Sequence, residues 1–318
     1  MLNRFINVHF FHTFWHFIIL IIYNDYKNCF SQIMHLKPEK TMRCNNFLIF
    51  SLITIPLLII SDTLLSQEKD KKRVYQPELG QEGKDVRWFP TPQALVDKML
   101  DMAKITPADF LIDLGSGDGR TVISAAKRGL RAIGIEYNHD LVELSKNNAA
   151  KEGVKDKVEF IETDLFNYDF SKATVITMFL LPEINLRLRP KLLELKAGTR
   201  IVSTTFTMQN WQYDDVVKIY DPTSEWTTAY LWIVPAKVGG TWKFTGGELK
   251  LTQQFQIVTG ELIKGGKSTK ITAGKLRGDD ITFTADAAVY NCKVVRNIMK
   301  GTIKNKGIVT DWMAEKAK

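Results

Sequence analysis

The amino-acid sequence predicts an α/β domain built on a largely parallel sheet, followed by a smaller antiparallel β domain. Short apolar strands alternate with amphipathic helices from residue 90 to 235, and from 236 to 318 the helical period disappears between glycine pairs. Strands that alternate with helices form parallel sheets covered by helices on both faces. Hydrophobic residues at 45% are ordinary for a globular chain, which argues against disorder and against a polytopic membrane protein.

The elements of the first domain follow one another from residue 90. Thr91 and Pro92 are interpreted as a cap and a first-turn proline that start a helix. The predicted strands span residues 110–114, 131–136, 158–161, 174–179, 200–204, 216–220 and 227–234. The later predicted helices span residues 121–128, 139–152 and 183–195. Pro190 is expected to kink or divide the last helix, because proline removes a backbone donor.

The C-terminal region, residues 236–318, reads as short alternating strands joined by tight turns. Gly278-Asp279 and Arg296-Asn297 are typical of hairpin turns, and we expect a small barrel or a sandwich. Its 15 basic and 7 acidic residues give +8, which equals the net charge of the whole chain. Because the lysines are scattered, a solvated surface is favoured over a nucleic-acid interface.

The N-terminal region, residues 1–66, carries two apolar runs, at 5–23 and 47–60. The second run, residues 47–60, stands behind Arg43, and a short apolar run in that position indicates a membrane anchor or the core of a signal peptide. Translation from Met42 would produce a complete export signal, although Leu64 is large for its place near a cleavage site. We expect membrane association, with export after cleavage as the alternative, and residues 67–89 as a linker.

Acidic residues stand at the ends of three predicted strands: Asp113, Glu136 and, shortly after the third strand, Asp164. Ligands of parallel sheets bind at these carboxyl ends. The loop after the first strand carries four small residues, which are Gly115, Ser116, Gly117 and Gly119. Position 120 is arginine, which excludes the dinucleotide fingerprint, and no Gly-Lys-Ser/Thr follows. Carboxylates around a glycine loop suit a ligand with a ribose and positive charge, a description that S-adenosyl-L-methionine meets.

The sequence offers few residues for hydrolysis, for metal binding or for methylation of nucleic acids. Only His139 of the five histidines lies in the α/β domain, so a hydrolase triad is disfavoured, and we expect it to begin a helix. Three cysteines without a CxxC pair indicate neither a disulfide scaffold nor a metal site. The segment MFLLPE lacks the Asn-Pro-Pro-aromatic motif of base-amino methyltransferases, so no nucleic-acid substrate is expected.

The motifs WFPTP, DLGSGDGR, GIE, TDLF and FLLPEINLRLRPKLL followed by GTRIVS resemble a known family. Residues 88–205 look like a class I, seven-stranded, Rossmann-like S-adenosylmethionine-dependent methyltransferase. They are most similar to the ATP synthase c-subunit lysine methyltransferases and their bacterial relatives, and more loosely to the Dot1 histone lysine methyltransferases. The resemblance places Thr91 beside the methionine end of the cofactor, and Phe179, Leu181 and Pro182 at the acceptor pocket.

The resemblance implies methyl transfer to a protein lysine, with a small-molecule acceptor as the alternative. A second alternative is a tethered binding protein that has lost activity and acts through its β domain.

Overall fold

The computed structural model describes residues 75–84 and 86–317, which form four α-helices, a short 3₁₀ helix and sixteen strands. Both apolar runs predicted to reach a membrane, at 5–23 and 47–60, lie outside the described residues. None of the helices within the described part combines the length and the hydropathy that a membrane crossing requires.

The first domain alternates strands and helices as the sequence predicts. Its strands are β1 (Phe110–Leu114), β2 (Arg131–Glu136), β3 (Val158–Glu162), β4 (Val175–Met178), β5 (Arg200–Thr204), β6 (Asp215–Lys218) and β7 (Thr228–Ile233). Its helices are α1 (Gln93–Met102), α2 (Arg120–Lys127), α3 (His139–Lys151) and α4 (Pro182–Leu193), with the 3₁₀ helix at Lys155–Lys157.

The seven strands form one sheet in the order β3-β2-β1-β4-β5-β7-β6. Strands β1 to β5 are parallel, whereas β7 pairs antiparallel with both β5 and β6. The predicted fold class is therefore confirmed. The carboxyl ends of β1, β2 and β4 meet at one edge, where the candidate ligand residues stand.

Helix boundaries follow local chemistry, with two differences from the sequence prediction. Asn138 caps α3 by accepting the N–H of Asp140 at 2.9 Å. The prediction that Thr91 caps α1 is wrong, because Pro92 is the N-cap and no side chain caps the helix. Pro190 lies inside α4 and does not divide it.

Two hydrophobic clusters cover the sheet. One includes the inner faces of α1 and α2, and the other includes α4 and the later strands. Neighbouring residues of β1 enter different clusters, Leu111 the first and Ile112 the second. A strand buried on both faces explains why its sequence reads as a continuous apolar run rather than as an alternation.

The C-terminal strands form a barrel. They are β8 (Gly240–Phe244), β9 (Gly247–Gln254), β10 (Ile257–Lys264), β11 (Lys267–Lys270), β12 (Thr272–Arg277), β13 (Asp280–Ala285), β14 (Ala288–Val295), β15 (Ile298–Asn305) and β16 (Ile308–Lys316). Eight of them close a ring in the order β10-β12-β13-β14-β15-β16-β8-β9, while β11 pairs with β10 alone. Gly278-Asp279 and Arg296-Asn297 join consecutive strands, as predicted.

Aromatic side chains fill the barrel, and one short seam closes it. Trp242, Phe283, Tyr290 and Trp312 are buried in its core. Most neighbouring strands in the ring are also consecutive in the chain. The exceptions are β10 with β12 and, between the ends, β16 with β8. Each pairing consists of two residue pairs, which for β16 and β8 are Glu315 with Lys243 and Lys316 with Trp242.

Candidate active site

Most of the residues predicted to hold a ligand line a single cavity at the carboxyl edge of the sheet. Those in the lining are Thr91, Asp113, Gly115, Ser116, Gly117, Glu136, Asp164 and Phe179. Gly119, Leu181 and Pro182 lie outside the lining, whereas Leu180 and Ile184 belong to it. Pro182 is the first residue of α4, and Leu181 is its N-cap with 38% of its surface exposed.

The loop after β1 needs glycine at specific positions. Gly115 and Gly117 have φ angles of +79° and +55°, a region that side chains strain. A Cβ on Gly117 would lie 2.9 Å from the Trp88 ring nitrogen. Gly134 of β2 lies under the loop, where a Cβ would come within 2.6 Å of the Ser116 hydroxyl. The loop can follow this path only because these three positions carry no Cβ atom.

Gly119 has a packing role instead. It is the N-cap of α2 with φ +81°, and a Cβ there would lie 2.8 Å from the Phe160 ring. Asp118 beside it accepts the Arg120 N–H at 3.3 Å and pairs with its guanidinium at 2.6 Å. Arg120 also donates to the Thr91 carbonyl at 2.9 Å. It therefore ties the segment before α1 to the glycine loop, a role that sequence analysis missed.

Glu136 holds the glycine loop as well as facing the cavity. Its Oε2 accepts the N–H of Gly117 at 2.9 Å, and its Oε1 accepts those of Tyr137 and Asn138 at 2.9 and 3.0 Å. Burial raises the pKa of this carboxyl, against the effect of the three backbone donors. A carboxylate has about four acceptor positions, so one position on Oε2 remains for a ligand hydroxyl.

Asp113 is the most perturbed acid of the cavity, with only 6% of its surface exposed. Burial raises its pKa to about 7, opposed by a hydrogen bond from Thr177 and reinforced by the negative charges of Glu136 and Asp118. The Thr177 hydroxyl donates to Oδ1 at 2.7 Å. A cationic ligand would stabilise the ionised form, because an opposite charge lowers the pKa of a carboxyl.

Residues 80–91, which we call the strap, form one wall of the cavity; residue 85 is outside the described part. The N–H of Gly80 donates to the Trp88 carbonyl at 2.9 Å, and the N–H of Trp88 donates to the Gln81 carbonyl at 3.0 Å. The motif WFPTP is the sequence signal that points to Trp88 and Phe89.

An ion pair joins the strap to the loop after β3. Lys84 Nζ lies 2.6 Å from Asp164 Oδ2 and 4.4 Å from the centre of the Tyr137 ring. Asp164 Oδ1 accepts the Phe166 N–H at 2.9 Å, and both contacts hold the pKa of Asp164 below its ordinary value. No sequence pattern points to Lys84, because it belongs to a segment without periodicity.

Aromatic rings gather at the end of the cavity near β4 and β5. Phe89, Phe179, Phe206 and Trp226 form what we call the aromatic cluster, with the Trp226 ring 5.7, 5.6 and 6.2 Å from the other three. Phe89 and Phe179 line the cavity itself. Sequence analysis found Phe179 and missed Phe206 and Trp226, which come from loops far apart in the chain.

Comparisons with known proteins show which family the chain belongs to. The family model described as the ANTKMT methyltransferase domain matches residues 113–215. A protein-lysine N-methyltransferase of Saccharolobus islandicus (strain REY15A) is 40% identical over 152 residues, covering 47% of this chain and 94% of that protein. The chain belongs to the S-adenosylmethionine-dependent methyltransferases. The resemblance stated from the motifs is confirmed, together with the enzyme class and the cofactor.

Two further relatives show how far the similarity extends. The human ATP synthase c-subunit lysine N-methyltransferase is 40% identical over 107 residues, which cover 33% of this methyltransferase and 46% of the human protein. The chain thus spans about half the length of this animal relative. A solved structure described as an RNA methyltransferase of Salinibacter ruber with S-adenosyl-L-homocysteine is 46% identical, with TM-score 0.44, covering 47% of this chain and 96% of that one.

The lining residues fit the cofactor of this methyltransferase on chemical grounds. Asp113 is a buried carboxyl whose proton a cationic ligand would displace. Glu136 retains an acceptor position for a ribose hydroxyl. The glycines at 115 and 117 allow a ligand to approach the backbone closely.

His139 begins α3, as predicted, and is not part of the cavity lining. Its Nδ1 is 2.7 Å from Glu162 Oε2, and this contact raises the pKa of the imidazole. Within the described residues, the histidines, cysteines and acids nowhere gather in a group of three or more that could hold a metal ion.

Proposed function

We propose that this methyltransferase transfers a methyl group from S-adenosylmethionine to the side-chain amine of a protein lysine. The observation that carries the proposal is the aromatic cluster, which lies at the cavity end where Phe179 follows β4. Faces of tryptophan and phenylalanine rings attract ammonium and methylammonium groups. The names of the archaeal and human relatives, both lysine methyltransferases, agree with this acceptor.

An amine acceptor also fits the absence of a base. Among the described residues that line the cavity there is no histidine, and its acids are Glu82, Asp113, Asp118, Glu136 and Asp164. These acids belong to the strap, the end of β1, the glycine loop and the ends of β2 and β3, whereas the aromatic cluster is apolar. Loss of water around an amine lowers its pKa, so the acceptor releases its proton to solvent before methyl transfer and needs no dedicated base.

The residues of the chain act by binding and orienting. S-adenosylmethionine supplies an activated methyl group on a cationic sulfur. Asp113 contributes negative charge, Glu136 an acceptor for a ribose hydroxyl, and the strap a cover that excludes water. Fixed orientation of two reactants contributes up to about 7–11 kcal/mol to lowering a barrier in well-oriented systems.

The test uses the full chain and S-adenosylmethionine carrying a tritiated methyl group. The chain is incubated with membrane and soluble fractions of the source cell, and labelled material is hydrolysed to amino acids. Label recovered as Nε-methyl-lysine supports the proposal. Label recovered only in small metabolites or in RNA overturns it.

A matched pair of variants ties the activity to the aromatic cluster. Trp226→Leu is expected to lower kcat/KM for the lysine acceptor at least tenfold, and Tyr220→Leu should leave it unchanged. Tyr220 is in the same loop but 91% exposed. Equal effects of the two substitutions would count against the cluster as the acceptor site.

We also propose that the N-terminal apolar runs attach the methyltransferase to a membrane, with its α/β domain on the side where S-adenosylmethionine is made. Residues 47–60 resemble an anchor, and basic residues stand on both sides of this run. They are Lys27, Lys37, Lys40 and Arg43 before it and Lys69, Lys71, Lys72 and Arg73 after it. Alkaline phosphatase fused after Lys318 should remain inactive. Active phosphatase would instead support export of the chain.

A further inference from the structure

The barrel contacts the α/β domain through the turn between β9 and β10, Phe255 and Gln256. This turn packs against the segment after β5, residues 205–214. The Phe255 ring stacks on the Trp211 ring, with centres 5.9 Å apart and planes 10° from parallel. Phe255 adopts φ +53°, which side chains rarely do, so the turn is held in a demanding conformation.

Hydrogen bonds fix the same contact. Gln256 is 2% exposed, and its Nε2 donates to the Gln212 carbonyl at 2.7 Å. The Arg189 guanidinium of α4 lies 5.3 Å from the centre of the Phe255 ring and donates to the Met208 carbonyl at 3.0 Å. A buried amide that meets a backbone carbonyl across two domains is costly to leave unpaired.

The other end of segment 205–214 reaches the aromatic cluster. Phe206 stacks near Phe179 with ring centres 6.3 Å apart, and its carbonyl accepts the Ser203 hydroxyl at 2.8 Å. Thr205 before it has φ +64°, which is strained for a β-branched residue. Such strain persists only where surrounding contacts hold it. The segment is therefore fixed by β5 at one end. At the other end it is held by the barrel and by β7, whose Trp232 Nε1 donates to the Trp211 carbonyl at 2.8 Å.

We propose that Phe255 and Gln256 are positioning residues for methyl transfer, and that the barrel sets the acceptor side of the cavity through segment 205–214. This inference rests on the proposed function, since it takes the aromatic cluster as the acceptor site. Neither residue lines the cavity. Their effect passes through Trp211 and Gln212 to Phe206.

The barrel offers close controls. Phe244 is an aromatic residue packed on Trp312 in the barrel, 5.6 Å between ring centres. Phe244→Ala therefore weakens the barrel without removing the contact with the α/β domain. Gln254→Ala matches Gln256→Ala, because Gln254 is an exposed residue of the same hairpin.

The experiment measures amide hydrogen exchange of the full chain, without any acceptor. Phe255→Ala and Gln256→Ala should speed exchange in residues 205–214 at least tenfold while leaving residues 113–136 unchanged. Phe255→Tyr, which keeps the stacked ring, should restore protection. Unchanged exchange in 205–214, or the same increase in Phe244→Ala, would overturn the inference.

Activity provides the second readout. With a lysine peptide from the labelled protein, Phe255→Ala should raise the acceptor KM at least fivefold and change the dissociation constant of S-adenosylmethionine less than twofold. A proportional loss of cofactor binding would indicate general destabilisation and overturn the inference. If no lysine acceptor exists, the proposed function fails on its own assay, while exchange still reports whether the barrel fixes the segment.

Discussion

Asparagine in place of Asp113 should stabilise the ligand-free protein at pH 8. The folded pKa of this carboxyl is about 7, against 3.8 for the ordinary side chain. Each pKa unit corresponds to 1.36 kcal/mol, so holding the charged form buried costs about 4 kcal/mol. An asparagine retains an oxygen for the Thr177 hydroxyl but carries no charge to desolvate.

The sign follows from proton binding. Below pH 3.8 both the folded and the unfolded protein hold the proton, and the carboxyl makes no difference. Between there and about pH 7 the unfolded state alone releases it, so the stability of the wild type falls as pH rises. Above about pH 7 the stability of the wild type falls no further on account of this carboxyl. Asp113→Asn should therefore exceed the wild type by up to about 4 kcal/mol at pH 8 and approach it at pH 4.

Urea unfolding followed by tryptophan fluorescence at pH 4, 6 and 8 measures this difference. Asp109→Asn is the matched control, since Asp109 precedes the same strand with the opposite shift. Burial acts to raise its pKa, but hydrogen bonds from Arg200, Thr174 and Thr106 outweigh burial and lower it. Its replacement should destabilise at pH 8. A difference for Asp113→Asn that does not vary with pH, or a loss of stability at pH 8, would refute the reasoning.

Three further changes have expected outcomes. In Glu136→Gln the side chain has one acceptor oxygen and cannot accept from all three backbone N–H groups. The variant should bind S-adenosylmethionine at least tenfold more weakly, measured by calorimetry. Glu162→Gln, at the paired position of the neighbouring strand, should not weaken binding. Lys84→Met should raise the dissociation constant of the cofactor at most about fivefold, because partly exposed ion pairs contribute about 0.2–1 kcal/mol. High salt should abolish this difference between the variant and the wild type. Lys146→Met is the control. Gly117→Ala should lower the free energy of unfolding by about 1–2 kcal/mol, because the residue is left-handed, and an unchanged urea midpoint would contradict this.

The parallel strands could be predicted from the sequence because each is a short apolar run bounded by turn residues. β1, β2 and β5 have the predicted bounds, and the acids at their ends follow from the rule that ligands bind there. The position of β7 between β5 and β6 was not predictable in this way. It depends on which edge a strand joins, and a run of alternating residues carries no such information.

Residues of the cavity lining were predicted where they lie within one motif, as with Asp113 and Gly117. Lys84 and Trp226 were missed because they reach the cavity region from loops, and their contacts join residues 80 and more than 40 positions apart. Leu181 was selected by its place after β4, yet the side chain that enters the lining is Leu180. One step along an extended chain reverses the direction of a side chain, which a family motif does not resolve.

The seam between β16 and β8 has a consequence for how the barrel folds. Hairpins with two-residue turns form early because little chain entropy is lost, whereas a pairing of residues some 70 positions apart must wait. We therefore expect closure to be the late, slow event. It rests on the pairs made by Glu315 and Lys316 and on the adjoining hydrogen bond from the Ala317 N–H to the Thr241 carbonyl at 2.8 Å. A substitution that breaks these two pairs would leave every hairpin intact and still expose an open sheet edge, which is a template for aggregation during synthesis.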